Sequence, residues 1–166
     1  MPHPQFLNTL FSHKSKVFSV FNDVLGLNEI NHIALAYINP RQKLLTFSST
    51  PALEFNLFNS SLWRFDKTYT ADWYEQCGVA SWQALYTQTR YDQLYYVKQA
   101  RHHYPLALSL ASKVGEGYII YSIASRKNCL PTQEVFAQQY TNFYKIGQYC
   151  NNALLSLVVD CDSSFG

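Results

Sequence analysis

The sequence predicts an α+β fold, an α/β/α sandwich whose N-terminal and long C-terminal helices pack on a central antiparallel sheet of about five strands. Three observations predict it. Two β-hairpin signals lie at 32–49 and 106–125, and amphipathic helical patterns flank them at both ends of the chain. Between the hairpins, residues 62–104 hold all three tryptophans together with Tyr69, Tyr74, Tyr86, Tyr91, Tyr95, Tyr96 and Tyr104. That segment reads as a long excursion laid over one face of the sheet, where a ligand or a partner has room to sit.

A chain of 166 residues suits one domain spanning 1–166, because a domain of that size buries roughly 70% of the surface its unfolded chain exposes. Charged residues make up 14% of the chain, against roughly 25% in an average soluble protein. The shortfall leaves tyrosine at the surface, where a rigid ring with a polar tip suits contact. A net charge of +2 supplies no broad field for sequence-independent binding to phosphates, so no direct nucleic-acid contact is expected of this domain. No apolar stretch is long enough to span a bilayer, and the start Met1-Pro-His-Pro-Gln5 lacks a cationic stretch followed by an apolar run. The expectation is a soluble cytoplasmic protein without membrane contact. Cys77, Cys129, Cys150 and Cys161 show no C-x-x-C spacing and read as reduced packing residues.

Residues 6–25 put Leu7, Leu10, Phe11, the stem of Lys14, Val17, Phe18, Phe21, Val24 and Leu25 on one stripe of a single helix. Gly26 can take the left-handed conformation that ends it, with Leu27 folding back as the hydrophobic contact of the cap. A strand at 32–38, a turn at 39–42 built on Asn39 and Pro40, and a strand at 43–49 make the first hairpin. Pro51 stops that strand, and 52–58 forms a short helix over the sheet edge. Thr70 is placed to cap a helical turn carrying Trp73, Tyr74 and Cys77 and ended by Gly78, and Ser81 to cap another over 82–88. Residues 94–98 read as a strand. The second hairpin runs 106–112, turn 113–117, strand 118–125. Thr132 caps a last helix with Glu134 in its first turn and a stripe of Phe136, Tyr140, Phe143, Gly147, Cys150, Leu154 and Leu157, with Gly147 allowing a close approach. The polar tail at 160–166 is expected to fray.

No stretch carries a catalytic signature. Gln76-Cys-Gly-Val-Ala-Ser-Trp82 is superficially similar to the surroundings of a papain-type nucleophile, yet Ser81 holds the reactive position and no histidine follows His103 to act as base. His102 and His103 point apart in an extended segment, and no ligand spacing joins them to His32, so no metal site and no cofactor are expected. Gly115-Glu-Gly117 feeds a strand rather than a helix N-terminus, which makes it a hairpin turn and not a phosphate loop. Arg90, Lys98, Arg101, His102 and His103, interleaved with tyrosines, suit an acidic ligand group or single-stranded nucleic acid; the plainer reading is a solvated strand edge guarded by its charges. Trp63, Phe65, Tyr69, Trp73, Tyr74, Trp82 and Tyr86 either line a cavity against the sheet or form its second core layer, and the residues leave both open.

The order helix, hairpin, aromatic excursion, hairpin, long helix resembles PAS/GAF-type sensors, and most of all the autoinducer-binding domain of LuxR-type transcriptional regulators. The resemblance rests on Ile33-Ala-Leu-Ala-Tyr-Ile38, Leu44-Leu-Thr-Phe-Ser-Ser-Thr-Pro51, Leu62-Trp-Arg-Phe-Asp66 with Trp82 further on, and the closing helix from Phe136. It implies an acyl-homoserine-lactone-type pocket with Trp63, Tyr69, Asp72 and Trp82 at the matching positions. The family's W-x-x-x-Y spacing and D-P step are absent here, and the chain ends at Gly166 without the helix-turn-helix of those regulators.

Together these point to a non-enzymatic, signal-sensing regulatory domain that binds a small apolar or amphipathic ligand through Trp63, Tyr69, Asp72, Trp73, Trp82 and Tyr86. Such a domain is expected to act in transcriptional regulation as a homodimer or through a regulatory protein partner. The alternative is a ligand-free adaptor or anti-regulator whose hot spots are Tyr91, Tyr95 and Tyr96.

Overall fold

The computed structural model describes residues 1–165. The helices are α1 (Phe6–Phe11), α2 (Lys14–Asn22), α3 (Pro51–Asn59), α4 (Ala71–Tyr74), α5 (Trp82–Leu85), α6 (Tyr91–Lys98), α7 (Leu130–Gln138) and α8 (Tyr140–Cys161). The strands are β1 (His32–Ile38), β2 (Leu44–Ser48), β3 (Val79–Ser81), β4 (Leu106–Val114) and β5 (Gly117–Ser125). They form one antiparallel five-stranded sheet in the order β2-β1-β5-β4-β3, with helices on both faces, as expected.

The two hairpins build the sheet. In the first, the Asn39 side chain accepts hydrogen bonds from the backbone N–H groups of Arg41 and Lys43, both at 2.9 Å, so the turn satisfies its own donors. In the second, β4 and β5 pair from Leu106↔Ser125 to Val114↔Gly117, leaving a tight turn with Gly115 at φ +57°. Residues 1–3 run along β2, where His3 N–H donates to the Leu44 carbonyl at 2.8 Å, so the edge strand is covered.

Strand alternation sends different residues to the two faces. Ile33, Leu35, Tyr37, Leu45, Phe47, Leu108, Leu110, Ile119, Tyr121 and Ile123 face α2, α7 and α8, where they interlock with Val17, Val20, Phe21, Phe143, Cys150, Leu154 and Val158. A Cβ on Gly147 would stand 2.5 Å from the Tyr121 ring, so only glycine lets α8 lie this close. The opposite face belongs to α1, α3 and the 62–104 excursion.

Six local expectations need correction. The stripe at 6–25 is two helices broken at Ser12–His13, with His13 in the left-handed region at φ 58°. Phe6 and Leu10 pack on one face of the sheet and Val17, Val20 and Phe21 on the other, so the chain must turn across the edge. Leu27 is 50% exposed and makes no folded-back cap, although Gly26 does take φ +97°. Residues 94–98 belong to helix α6 rather than a strand: Tyr91 and Tyr95 stack, and Leu94 and Lys98 are both buried, each pair at a spacing of four. The helix expected over 82–88 ends at Leu85, and the residues before it form β3. The last helix begins at Leu130 and breaks at Gln139, so Thr132 lies inside α7, its hydroxyl 3.1 Å from Cys129 Sγ. In the tail, Ser163–Phe165 form a 3-10 turn and the Phe165 ring packs edge-on against Tyr37, while Gly166 lies outside the described residues.

Candidate functional site

The sheet face beneath the aromatic excursion is built from small residues. Register places Ser48, Ala34, Ser122, Ser109 and Ala80 in one row across all five strands. The rows beside it hold Thr46, Ala36, Ile120 and Ala111 on one side and His32, Ala124 and Ala107 on the other. A floor this shallow leaves depth for large side chains above it.

Much of that depth holds polar groups. Lys98, on the inner face of α6, donates to Asp66 Oδ2 at 2.6 Å, and both side chains are essentially inaccessible. The ammonium also stands 4.4 Å from the centre of the Trp82 ring and 5.5 Å from that of Tyr86, a cation–π setting in a desolvated place. Asp66 is held by the Thr68 N–H at 3.0 Å. Beside this ion pair lie His32, from the first position of β1, and Glu54, from α3.

Burial sets the charge of these two. It pushes the Glu54 carboxyl up to about 8, while burial followed by the cationic neighbours His102, Lys98 and Arg126 pushes His32 down to about 3. The 3.7 Å approach of His32 Nε2 to Glu54 Oε1 is therefore between two neutral groups near neutral pH. His32 Nδ1 is hydrogen-bonded to Thr50 Oγ1 at 2.9 Å and Ser49 Oγ at 3.2 Å, and Thr50 in turn to the Tyr104 hydroxyl at 2.8 Å. His32 Nε2 and Glu54 Oε2 have no hydrogen-bond partner among the described residues, although the Ser48 hydroxyl approaches the Glu54 carboxyl closely enough to offset part of the burial. A buried polar atom in that condition costs about 1–3 kcal/mol.

Outside this cluster a cleft of about 380 Å³ opens between the β1–β2 turn and residues 63–74. Ile38, Leu44, Trp63, Tyr69, Ala71 and Tyr74 give it apolar walls, and Arg41, Gln42 and Lys43 border it. Trp63 stacks on Phe58 with ring centres 5.7 Å apart, and Tyr69 meets the same ring edge-on at 5.0 Å. Tyr69 lines the cleft, and its hydroxyl is held well above the usual tyrosine range by burial first and then by the Asp66 and Glu54 carboxyls.

The sequence-predicted site residues thus divide. Trp63 and Tyr69 wall the cleft. Trp82, 1% exposed, and Tyr86, 5%, belong to the deep layer, where Trp82 Nε1 donates to the Leu108 carbonyl at 3.1 Å and the Tyr86 hydroxyl to Gln99 Oε1 at 2.7 Å. Trp73 is half-buried at the margin of the same layer. Asp72 is exposed on α4 and reaches neither cleft nor cluster; the deeply placed aspartate is Asp66. Among the partner-binding candidates, Tyr91 and Tyr95 are half-buried and stacked on each other, and Tyr96 is 58% exposed. The basic cluster does not form a solvated edge, because Lys98 points inward while Arg90 and Arg101 are exposed.

Sequence reasoning missed Glu54, Asp66 and Lys98 as a group. A signal was present in two of them: Glu54 falls on the apolar face of a helix between Leu53 and Leu57, and Lys98 lies four residues after Leu94. Nothing local to Asp66 marked it.

No protein-family model matches the chain, and no curated protein matches it either. Solved structures do. SdiA in complex with octanoyl-rac-glycerol aligns with a TM-score of 0.60 at 12% identity, over 92% of this chain and 64% of that one. A crystal structure of Escherichia coli SdiA aligns at 0.56 and 12%, over 85% of this chain and 61% of that one. The chain spans less than two thirds of the length of either. The likeness is one of fold, and by fold this chain is similar to the ligand-binding domain of SdiA, a LuxR-type regulator.

Proposed function

We propose that this chain is a non-catalytic, signal-sensing regulatory domain that takes a small amphipathic ligand between the small-residue face of the sheet and the 62–86 cover. One observation carries the reading: a cleft of about 380 Å³ walled by Trp63 and Tyr69 opens on the side of the sheet where His32 Nε2 and Glu54 Oε2 are buried with no hydrogen-bond partner among the described residues. Polar groups so placed gain about 1–3 kcal/mol each when a ligand pairs with them, and such convergent polar groups in an apolar surround are what small-molecule sites use for orientation. The shared fold supports the ligand class, since SdiA has been solved in complex with octanoyl-rac-glycerol. The output is a change in homodimer or partner-protein contact that acts on transcription, with no DNA contact by this domain. Among the described residues no helix is long and apolar enough to cross a membrane.

The test is tryptophan fluorescence and calorimetric titration with a panel of medium-chain amphiphiles, octanoyl-glycerol among them. Trp63→Ala should weaken binding by about tenfold or more, in line with loss of a well-packed aromatic contact, while the domain stays folded. Trp82 is core, so Trp82→Phe is the informative variant there; its truncation to alanine would cost about 3–5 kcal/mol of stability. Undiminished binding in both Trp63→Ala and Trp82→Phe would remove the pocket assignment.

The adaptor reading retains one specific support. Tyr96 stands exposed over a shallow groove lined by Ser60, Leu62, Asp92, Gln93 and Val97. If that face binds a protein, Tyr96→Ala loses the partner while Tyr91→Ala and Tyr95→Ala act mainly through folding.

A further inference from the structure

The mouth of the cleft carries a charge that the proposed amphipathic ligand must match. Arg41 and Lys43 flank it on the β1–β2 turn, and none of its lining residues is acidic. Neither cation has an acidic partner among the described residues: the ion pairs there join His3 to Asp162, His32 to Glu54, Lys98 to Asp66 and Lys127 to Glu29. Among the described residues, the hydrogen bond of Lys43 Nζ goes to the Met1 thioether, at 2.9 Å. Across the turn, Asp162 is already engaged, accepting from Asn39 Nδ2 at 3.0 Å and facing His3 Nε2 at 3.1 Å. Behind the cations the walls are Ile38, Leu44, Trp63 and Tyr74, which offer apolar contact and no charge.

We infer that the ligand is a single-chain anionic amphiphile, a medium-length acyl or alkyl chain ending in a carboxylate or phosphate, bound with its anionic head between Arg41 and Lys43 and its chain on Trp63, Tyr74 and Leu44. The inference rests on the proposed ligand site and narrows it to one charge class. A cleft of about 380 Å³ falls within the range of small-molecule sites, roughly 300–1,000 Å³. Arg41 is exposed and Lys43 half-buried, so the head stays hydrated at its outer side and avoids the cost of burying an ion.

The experiment compares decanoate, decyl phosphate and the uncharged 1-decanoylglycerol by calorimetry below their aggregation concentrations, at low and high salt. Two partly exposed ion pairs predict that the anions bind up to about tenfold tighter than the ester at low salt, a preference that shrinks as salt rises. The double variant Arg41→Gln/Lys43→Gln should collapse the anion and ester affinities to one value, with an unchanged thermal midpoint showing that the turn still folds. Lengthening the chain by one CH₂ should tighten binding about fourfold for anion and ester alike, reporting the apolar wall. Whichever of the two anions binds tighter identifies the head group, and either supports the inference. Equal affinity of anion and ester in the natural chain, or a preference that survives the double variant, overturns the anionic assignment while leaving a ligand site in place. Failure of all three compounds to bind, with Trp63 fluorescence unmoved, overturns both readings.

Discussion

The two faces of the sheet are made by the same five strands and could hardly differ more in content. Toward α2 and α8 the strands present Leu35, Phe47, Leu110, Tyr121 and Ile123, large side chains that interlock with one long helix. Toward the excursion they present Ala34, Ala36, Ser109, Ser122 and Ala124, and the space above holds a buried ion pair, a neutral His–Glu contact and tryptophan. Dense apolar packing holds a fold together. Small floors with buried polar groups contribute less to that and mark where something else is to be recognised. The first face is packed with large apolar side chains throughout, and the second accepts an energetic cost that the proposed ligand would offset.

That contrast can be broken from either side. The largest effects come from emptying one element of each face. Phe143→Ala should cost about 3–5 kcal/mol by opening a cavity against the sheet, and Lys98→Met should cost about 3–5 kcal/mol by leaving the Asp66 carboxylate buried and alone. The difference lies in rescue. Adding Asp66→Asn to Lys98→Met should restore most of the lost stability in urea denaturation, because the cost is an unpaired charge; no comparable single partner restores Phe143→Ala. A double variant as unstable as Lys98→Met would show that the pair is packed for volume rather than charge.

An intermediate effect tests the tight face alone. Gly147→Ala brings a methyl group into the Tyr121 ring and should cost about 1–3 kcal/mol through overpacking. Adding Tyr121→Ala should return part of that loss relative to Tyr121→Ala alone. A thermal midpoint unchanged by Gly147→Ala would contradict the close approach of α8.

The gentlest lever is pH, with slopes of at most about 1.4 kcal/mol per pH unit for each proton involved. Native Glu54 keeps its proton up to about 8, whereas an unfolded chain releases it near 4.5, so its contribution is full below 4.5 and is lost as pH rises through 8. Native His32 stays neutral down to about 3, whereas an unfolded chain protonates it near 6.5, so its contribution is full above 6.5 and is lost as pH falls through 3. Between 4.5 and 6.5 the two slopes oppose each other. Glu54→Gln should therefore flatten the alkaline limb of the urea midpoint against pH, and His32→Gln the acid limb. Parallel curves for natural chain and variants would place both groups in water.

The two hairpins were legible because alternation and turn chemistry at Asn39-Pro40 and Gly115 are local signals. The break at His13 was not, since both halves of 6–25 obey one helical period and only the sheet edge decides that they serve opposite faces. The segment 94–98 misled for a related reason: Leu-Tyr-Tyr-Val favours a strand by propensity, while its packing partners sit at helical spacing. At the site, the aromatic cover could be read from the crowding of tryptophan and tyrosine. The pairing of Asp66 with Lys98, thirty-two residues away, could not, because no local pattern links residues that meet only through the tertiary fold. Asp72 lies on the exposed side of α4, whereas Asp66 sits in extended backbone bridged to Tyr86, a difference that only the fold creates.

The most direct test of the central claim is native mass spectrometry of the purified domain, before and after denaturation. A binding face beneath the excursion predicts a small molecule of defined mass that leaves with unfolding, or, from an empty protein, one equivalent of added decanoate retained by the natural chain and lost in Trp63→Ala. A protein that carries nothing, retains no amphiphile, and behaves identically with and without Trp63 would show that the second face is only a second core.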